Sequence, residues 1–238
     1  MQQGKGYVGI DILRVVAAFL VVAVHTAPLA SFCEMPDFVF TQIVAGLGVA
    51  FFFAATGFFL RAPFAENKRA SGAPVWRFLK KTALLYIVAM LLYLPVNIYA
   101  GHFDGIKTVF DGLKMVLVDG TMYHLWYLPA VMLGVVLVWA MLRYGGLVAS
   151  TVAAGLLYVV GLLGDSYYGF AANVPVLKTF FDGVFAVSEY SRHGLFLAPL
   201  SLLVGVWAAS LQKKMTRSKA LAGFLVCFAL MFTGGLLP

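Results

Sequence analysis

Two ionisable side chains lie inside the first apolar stretch of the sequence, Arg14 and His25. A helix advances 100° per residue, so the eleven steps from one to the other return to within about 20° of the starting direction. Both side chains therefore lie on one helix face, roughly 16 Å apart along the axis. An imidazole can act as a general base near neutral pH, and a guanidinium can hold a phosphate or carboxylate through two hydrogen bonds. The pair predicts a polar site along one face of the first helix.

Each of these two residues also has a structural explanation. Arg14 can extend to cytoplasmic headgroups or pair with Asp11, three positions earlier on the helix. His25 can be a hydrogen-bonded structural histidine. Ionisable residues inside an apolar span are costly, however, and they usually face an interior cavity. The shared face therefore favours a functional role for both residues.

The composition predicts the environment of that helix. Of the 238 residues, 62% are apolar or aromatic and 11% are charged, and the mean hydropathy is +0.93. A soluble domain usually holds about 45–50% apolar and about 25% charged residues, so this chain has more apolar surface than a water-soluble core can bury. A lipid bilayer removes that excess from water. We therefore expect a multi-pass integral protein of the cell membrane, with the lipid bilayer as a partner.

The apolar stretches predict an all-α, polytopic bundle of about seven transmembrane helices, forming a single domain over residues 1–238. About twenty apolar residues cross the hydrocarbon core as a helix, and continuous rather than alternating runs argue against strands. Gly46, Gly48 and Gly57 predict close helix packing in the second span. The predicted spans are Ile10–Ala30, Thr41–Leu60, Phe78–Ile98, His124–Leu142, Gly146–Leu163, Gly194–Leu211 and Ala220–Leu236.

Loop charge predicts the orientation of the bundle. The loops after the second, fourth and sixth spans are basic, whereas the loops after the first, third and fifth are mainly acidic. Because cytoplasmic loops are enriched in Lys and Arg, we expect a cytoplasmic N-terminus and external acidic loops. The same distribution accounts for the formal net charge of +7 without a nucleic-acid partner.

Two of the predicted external segments are more than short turns. Apolar residues recur at helical spacing in Asp104–Leu117, which predicts a helix lying in the membrane interface. The segment Asp165–His193 is long and aromatic, and it is either a cover over a site or an ordered surface loop. Cys33 and Cys227 lie in unrelated segments, so neither a disulfide nor a metal site is expected.

Several motifs together resemble one family. Asp11–Ala17 followed by His25 resembles the opening motif of the acyltransferase-3 family of membrane acyltransferases, in which ten residues separate an arginine from a histidine. Val49–Phe59 resembles the family's second-span signature of paired phenylalanines, a small residue, Ser/Thr-Gly and an aromatic residue. Three further segments resemble the family's basic third-span cluster and parts of the subgroup that includes the membrane half of VanT-type serine racemases: Arg77–Lys81, His124–Pro129 and Ser191–Phe196. The resemblance covers most of the chain.

The resemblance implies transfer of an acyl group, often acetyl from acetyl-CoA, to a hydroxyl of a cell-envelope carbohydrate or small acceptor. In that scheme His25 deprotonates the acceptor or carries the proton relay, and Arg14 contacts the acyl-CoA co-substrate. Further positions implied are Arg77, Lys80 and Lys81 for the CoA phosphates, and His124 and Arg192 for the acceptor. Loop orientation alone also explains the basic cluster, and helix capping also explains His124 and Arg192.

The sequence leaves three functional hypotheses open. The first is the acyltransferase, with acyl-CoA as a co-substrate and no resident cofactor or metal. The second is an amino-acid transporter module for a serine-like solute, related to the membrane half of the racemases. The third is a membrane scaffold, which leaves the shared face of Arg14 and His25 unexplained. Because the family has more spans than this chain, the bundle is expected to be incomplete at its C-terminus.

Overall fold

A computed structural model describes residues 7–61, 72–122, 124–191, 193–211 and 218. Within these ranges every regular element is helical, which confirms the all-α prediction for the described part of the chain. Three of the described helices are long and apolar enough to cross a membrane, and two shorter helices are also apolar. The predicted span Ala220–Leu236 lies outside the described residues, and the cytoplasmic location of the N-terminus stays a prediction.

Helix α1 covers Val8–Thr26 and carries both Arg14 and His25. It ends at Thr26 rather than at the predicted Ala30, because a proline disfavours helical backbone at the residue before it. Ala27, which precedes Pro28, adopts a left-handed conformation with φ 42°. Its N–H still donates to the carbonyl oxygen of Ala23 at 3.0 Å and closes the last turn.

The second predicted span combines two kinds of helix. A short helix α2, Glu34–Phe38, continues into a π-helical segment, Val39–Ala45, and helix α3 then covers Leu47–Phe59. The predicted start at Thr41 therefore falls inside the π-helical segment. The Asp37 side chain ties this region to the end of α1, because its Oδ1 accepts the N–H of Leu29 at 2.8 Å.

Helix α4, Ala73–Tyr99, is longer than the predicted Phe78–Ile98. Its first turn contains Pro74, whose missing N–H has no partner to lose at a helix start. Arg77 consequently lies within the helix and not in the preceding loop. One face of α4 holds the segment that follows it: the Tyr86 hydroxyl donates to the carbonyl of Val116 at 2.7 Å, and Asn97 Nδ2 donates to the carbonyl of Thr121 at 2.7 Å.

Helix α5, Val109–Lys114, continues as a π-helical segment over Met115–Asp119. The predicted interfacial helix therefore starts at Val109 rather than at Asp104, because Thr108 caps it. Thr108 Oγ1 accepts the N–H of Asp111 at 3.2 Å, and Asp111 Oδ2 accepts the N–H of Thr108 at 2.8 Å. These hydrogen bonds hold the pKa of Asp111 below its ordinary value.

Helix α6, Tyr127–Leu163, joins the fourth and fifth predicted spans. Gly146 breaks it with a φ of 70°, so the predicted turn near Arg143 is confirmed as a break between two helical halves. The predicted external segment Asp165–His193 contains two helices, α7 (Tyr168–Ala171) and α8 (Pro175–Val187). Helix α9 covers Ala198–Leu211, because Gly194–Leu197 form a turn in place of the predicted first helical turn.

The halves of α6 run in opposite directions along α9. The first half places Gly134 against Ala198, whereas the second half places Thr151 against Trp207, with a hydrogen bond of 2.9 Å from the indole N–H to the threonine hydroxyl. Gly161, later in the second half, lies against Phe196. The predicted separation of these residues into two helices is therefore confirmed, and the two halves are antiparallel.

Neighbouring helices alternate in direction, which gives the bundle two distinct ends. Tyr7 at the start of α1 packs against Phe58 at the end of α3, with ring centroids 5.1 Å apart. His25 at the end of α1 packs against His124, just before α6, at 4.8 Å. We call the end that holds Tyr7 and Arg14 the arginine end. The opposite end, which holds His25 and His124, is the histidine end. Two of the three predicted external connections, those after the third and the fifth predicted spans, line one cavity at the histidine end.

Helices α3 and α9 cross at a very short distance. A methyl group at Gly57 would overlap the carbonyl oxygen of Leu202, and one at Gly205 would overlap the carbonyl oxygen of Ala54. A methyl group at Gly48 would lie 2.9 Å from the carbonyl oxygen of Ala17 in α1. The predicted packing role is confirmed for Gly48 and Gly57, whereas Gly46 is exposed.

Candidate functional site

A cavity of about 1160 Å³ opens at the histidine end of the bundle. Its wall combines apolar residues with polar ones, and both helices and the connections between them contribute. The ionisable or hydroxyl-bearing residues that line it are His25, Thr41, His102, Asp111, Lys114, Asp119, Thr121, Tyr158, Ser166, Tyr167, Ser188, Glu189, Tyr190 and His193. Such a mixed surface can hold a polar ligand of considerable size.

His25 reaches this cavity from the last turn of α1. His124 lies beside it, with ring centroids 4.8 Å apart and ring planes at 63°. The Tyr93 ring of α4 lies 5.9 Å from His124. Three elements that are distant in sequence thus bring three polar rings together at the cavity wall, and two of the rings belong to predicted site residues.

Asp119 is a site residue that sequence reasoning missed. Its side chain is only 11% exposed, and its Oδ1 accepts the N–H of Glu189 at 2.9 Å and the hydroxyl of Ser188 at 3.4 Å. Its Oδ2 lies 3.7 Å from Lys114 Nζ. Asp119 thereby joins the end of the π-helical segment to the residues Ser188 and Glu189 after α8, and all three residues line the cavity. Its sequence neighbourhood carries no motif, so only the fold reveals this role.

His193 also lines the cavity. Its Nδ1 accepts the N–H of Leu195 at 3.1 Å, so the neutral ring carries its proton on Nε2. Burial lowers the pKa of His193, and the nearby Asp119 carboxylate partly offsets that effect. The ring is therefore favoured in its neutral form, with an N–H available to donate to a ligand.

Arg14 lies towards the arginine end, outside this cavity. Its Nη1 lies 3.2 Å from Asp11 Oδ1, and its guanidinium carbon lies 4.7 Å from the centroid of the Phe59 ring. The ion pair with Asp11, one of the two structural explanations, is thus present. The guanidinium side chain remains 43% exposed, so it can still accept an anionic ligand.

The basic cluster of α4 lies at the same end of the bundle as Arg14. Arg77, Lys80 and Lys81 are all exposed in the first turns of this helix, and Lys80 Nζ lies 5.3 Å from the centroid of the Trp76 ring. The predicted donor-binding cations are therefore together at one end, separate from the two histidines. Arg192, the other predicted acceptor residue, lies outside the described residues. Among the described residues, no group of three or more His, Cys, Asp or Glu side chains is placed to hold a metal ion.

Tyr127 occupies the interior between the two ends. Its ring packs against Phe53 at 4.7 Å and Phe52 at 6.3 Å, and its hydroxyl is hydrogen-bonded to the side chain of Thr56. Thr56 belongs to the second-span motif, so the structure gives that motif a polar partner on α6.

Comparison with known proteins identifies the family. The acyltransferase domain family matches residues 7–238. The chain belongs to the acyltransferase-3 family. Its curated relatives include two proteins from Enterococcus faecalis, each named amino-acid racemase. One is 40% identical over 98% of this chain and the other is 38% identical over 90%. A serine/alanine racemase from Enterococcus gallinarum is 34% identical over 92% of this chain.

The chain matches only part of the length of each of these relatives. This acyltransferase-3 chain covers 32%, 30% and 31% of their respective lengths, so it spans about a third of each. No solved structure matches the chain. The family and the subgroup resemblance are therefore established by sequence, and the geometry of the site comes from the fold described above.

Proposed function

We propose that this chain is a multi-pass protein of the cell membrane that transfers an acyl group, typically acetyl, from acyl-CoA to a hydroxyl of a cell-envelope carbohydrate or small acceptor. The observation that carries the proposal is the position of His25, whose imidazole lines a large polar cavity at one end of the bundle. Family membership supports the reaction class. The placement of Arg14 and the α4 cations at the opposite end supports a separate site for the phosphates of the donor.

The proposed reaction needs one base and one path for the acyl group. His25 takes the proton of the acceptor hydroxyl, and the oxygen attacks the carbonyl carbon of the thioester. The carbon–sulfur bond then breaks, and the CoA thiolate takes the proton from the His25 imidazolium. The products are an ester and free CoA thiol. Arg14 binds the donor from the arginine end, roughly 16 Å from His25 along α1.

The test is acyl transfer by the full-length protein in nanodiscs, measured with labelled acetyl-CoA and extracted envelope glycan as acceptor. We expect His25→Ala to lower turnover by about 100-fold or more, which is the usual contribution of a general base. Thr26→Ala is the matched control, because the Thr26 hydroxyl donates to the carbonyl of Val22 within the same helix. Turnover by the His25 variant at the wild-type rate would refute the assignment.

The names of the relatives favour a second candidate, a module that carries a serine-like amino acid. Proteins named amino-acid racemase and serine/alanine racemase match almost the whole of this chain. The cavity also offers both signs of charge, with Lys114 beside Asp119 and with Glu189 nearby. These groups complement the carboxylate and ammonium of a free amino acid.

Proteoliposomes separate the two candidates. A carrier takes up labelled L-serine without consuming acyl-CoA, whereas an acyltransferase consumes acyl-CoA only when a hydroxylated acceptor is present. Uptake that is unchanged by Lys114→Ala and Glu189→Ala would contradict the amino-acid site. Uptake that requires acyl-CoA hydrolysis would also contradict a simple carrier.

A further inference from the structure

The histidine pair at the cavity wall combines a residue that lines the cavity with one that supports it. His25 lines the cavity, and His124 contacts His25 edge to face, with ring centroids 4.8 Å apart. The Tyr93 ring then lies 5.9 Å from His124, with its plane at 70°. The three rings come from α1, from the turn before α6 and from α4. Only the first of them belongs to the cavity lining.

His25 needs support from outside its own helix. It sits in the last turn of α1, next to Ala27, where the backbone leaves the helical conformation, and its side chain is exposed. An exposed ring at a helix end samples several rotamers, whereas a catalytic base must be held close to one orientation. A neighbouring ring that packs against it restricts that motion.

His124 is itself held in place. Asn97 Nδ2 donates to the carbonyl of Thr121 at 2.7 Å, three residues before His124, and the Asn97 side chain is fully buried. Asn97 and Tyr93 are four positions apart on α4, so they share one helix face. This face of α4 therefore makes two contacts near His124. Asn97 holds the backbone that leads to His124, and the Tyr93 ring packs against the His124 ring. The support therefore runs from α4 through His124 to His25.

We propose that His124 is a positioning residue, which holds the His25 imidazole in its orientation at the cavity by ring-to-ring contact. It does not itself touch the acceptor. The inference rests on the proposed function only in treating His25 as the base. It replaces the sequence-based interpretation of His124 as an acceptor-binding residue.

Steady-state kinetics test the role. His124→Ala lowers kcat by roughly tenfold, which is the factor that corresponds to a strong edge-to-face pair, and leaves KM for the acceptor within about twofold. His124→Phe keeps a ring in place and restores kcat to within about threefold of wild type. Tyr99→Ala is the matched control, because it removes a ring that is 94% exposed at the end of α4. A rise in KM as the main effect, or a Phe variant as slow as the Ala variant, would overturn the proposal.

A spectroscopic measurement tests the contact without reference to activity. The chain has four histidines, so protein carrying isotope-labelled histidine gives four sets of ring signals. His124→Ala removes one set and moves the His25 set, which is identified through His25→Ala, because a ring 4.8 Å away shifts its resonances. An unmoved His25 set would overturn the proposal even if transfer is detected. Conversely, a moved set in a protein without acyl transfer would refute the proposed function and keep the contact.

Discussion

Gly57→Ala is the substitution that tests the packing of this bundle most directly. Gly57 lies in α3 where that helix crosses α9, and a methyl group there would overlap the backbone carbonyl of Leu202. A side chain could rotate away from such a group, but a helical carbonyl is fixed by its own turn. The two helices must therefore separate to admit a single carbon atom.

The expected loss of stability follows from the helix displacement that the methyl group requires. Inserting a methyl group into a tight core usually destabilises a protein by about 1–3 kcal/mol, and displacement of a whole helix belongs at the upper limit. A loss of about 3 kcal/mol lowers the melting temperature by about 6–12 °C for a domain of this size. Separation of α3 from α9 also shifts Thr56, which is adjacent to Gly57 and hydrogen-bonded to Tyr127. We therefore expect a fall in stability together with a change in the interior polar contact.

Thermal unfolding of the detergent-solubilised protein, followed by size-exclusion chromatography after heating, measures the effect. Gly155→Ala is the matched control, since Gly155 lies in the second half of α6 and a methyl group there meets no atom within 4 Å. Alanine has the higher helix propensity, so this control is expected to melt at or slightly above the wild-type temperature. If Gly57→Ala melts as high as Gly155→Ala, the close approach of α3 and α9 is wrong.

Two further predictions concern the connections at the histidine end. Asp119→Ala removes the acceptor for the Glu189 N–H, so amide hydrogen exchange over residues 188–190 should accelerate by about tenfold or more, and unchanged exchange would contradict the link. The start of α5 should lose protection at low pH. Its Asp111 has a lowered pKa, so the stabilisation is complete above the ordinary aspartate value of about 3.9 and is lost as the pH falls through the folded-state value. Exchange measured in Asp111→Asn, which should lack this dependence, checks the assignment.

Much of the helical architecture could be predicted, because apolar runs of span length leave few alternatives. The sequence separated α6 into two spans at the position where Gly146 breaks it. It missed the boundaries that depend on local conformation, such as the early end of α1 before Pro28 and the capped start of α5 at Thr108. The helix α8 in the segment Asp165–His193 was also missed, although its apolar residues Leu177, Phe181 and Val184 recur at helical spacing and could have indicated it.

Individual residues of the candidate site could be predicted from the sequence, but their positions relative to one another could not. His25 and His124 were both selected from sequence, yet their contact depends on how the end of α1 meets the turn before α6, and no local pattern encodes that. Asp119 was counted only as a charge of an acidic loop, although its partners, Ser188 and Glu189, lie about seventy positions later. Contacts across such separations are set by the packing of the bundle. Periodicity and motif spacing contain no information about them.

The two ends of the bundle determine what the proposed reaction requires. Arg14 and the α4 cations lie at one end, His25 lies at the other, and α1 separates the two by roughly 16 Å. A donor held by its phosphates at the arginine end must therefore extend its acyl arm through the interior to reach the base. Tyr127 and Thr56 lie between the two ends, with the Tyr127 ring packed on Phe53. The proposed reaction therefore requires these interior side chains to move aside for the acyl arm, and it requires the donor and the acceptor to enter from opposite ends.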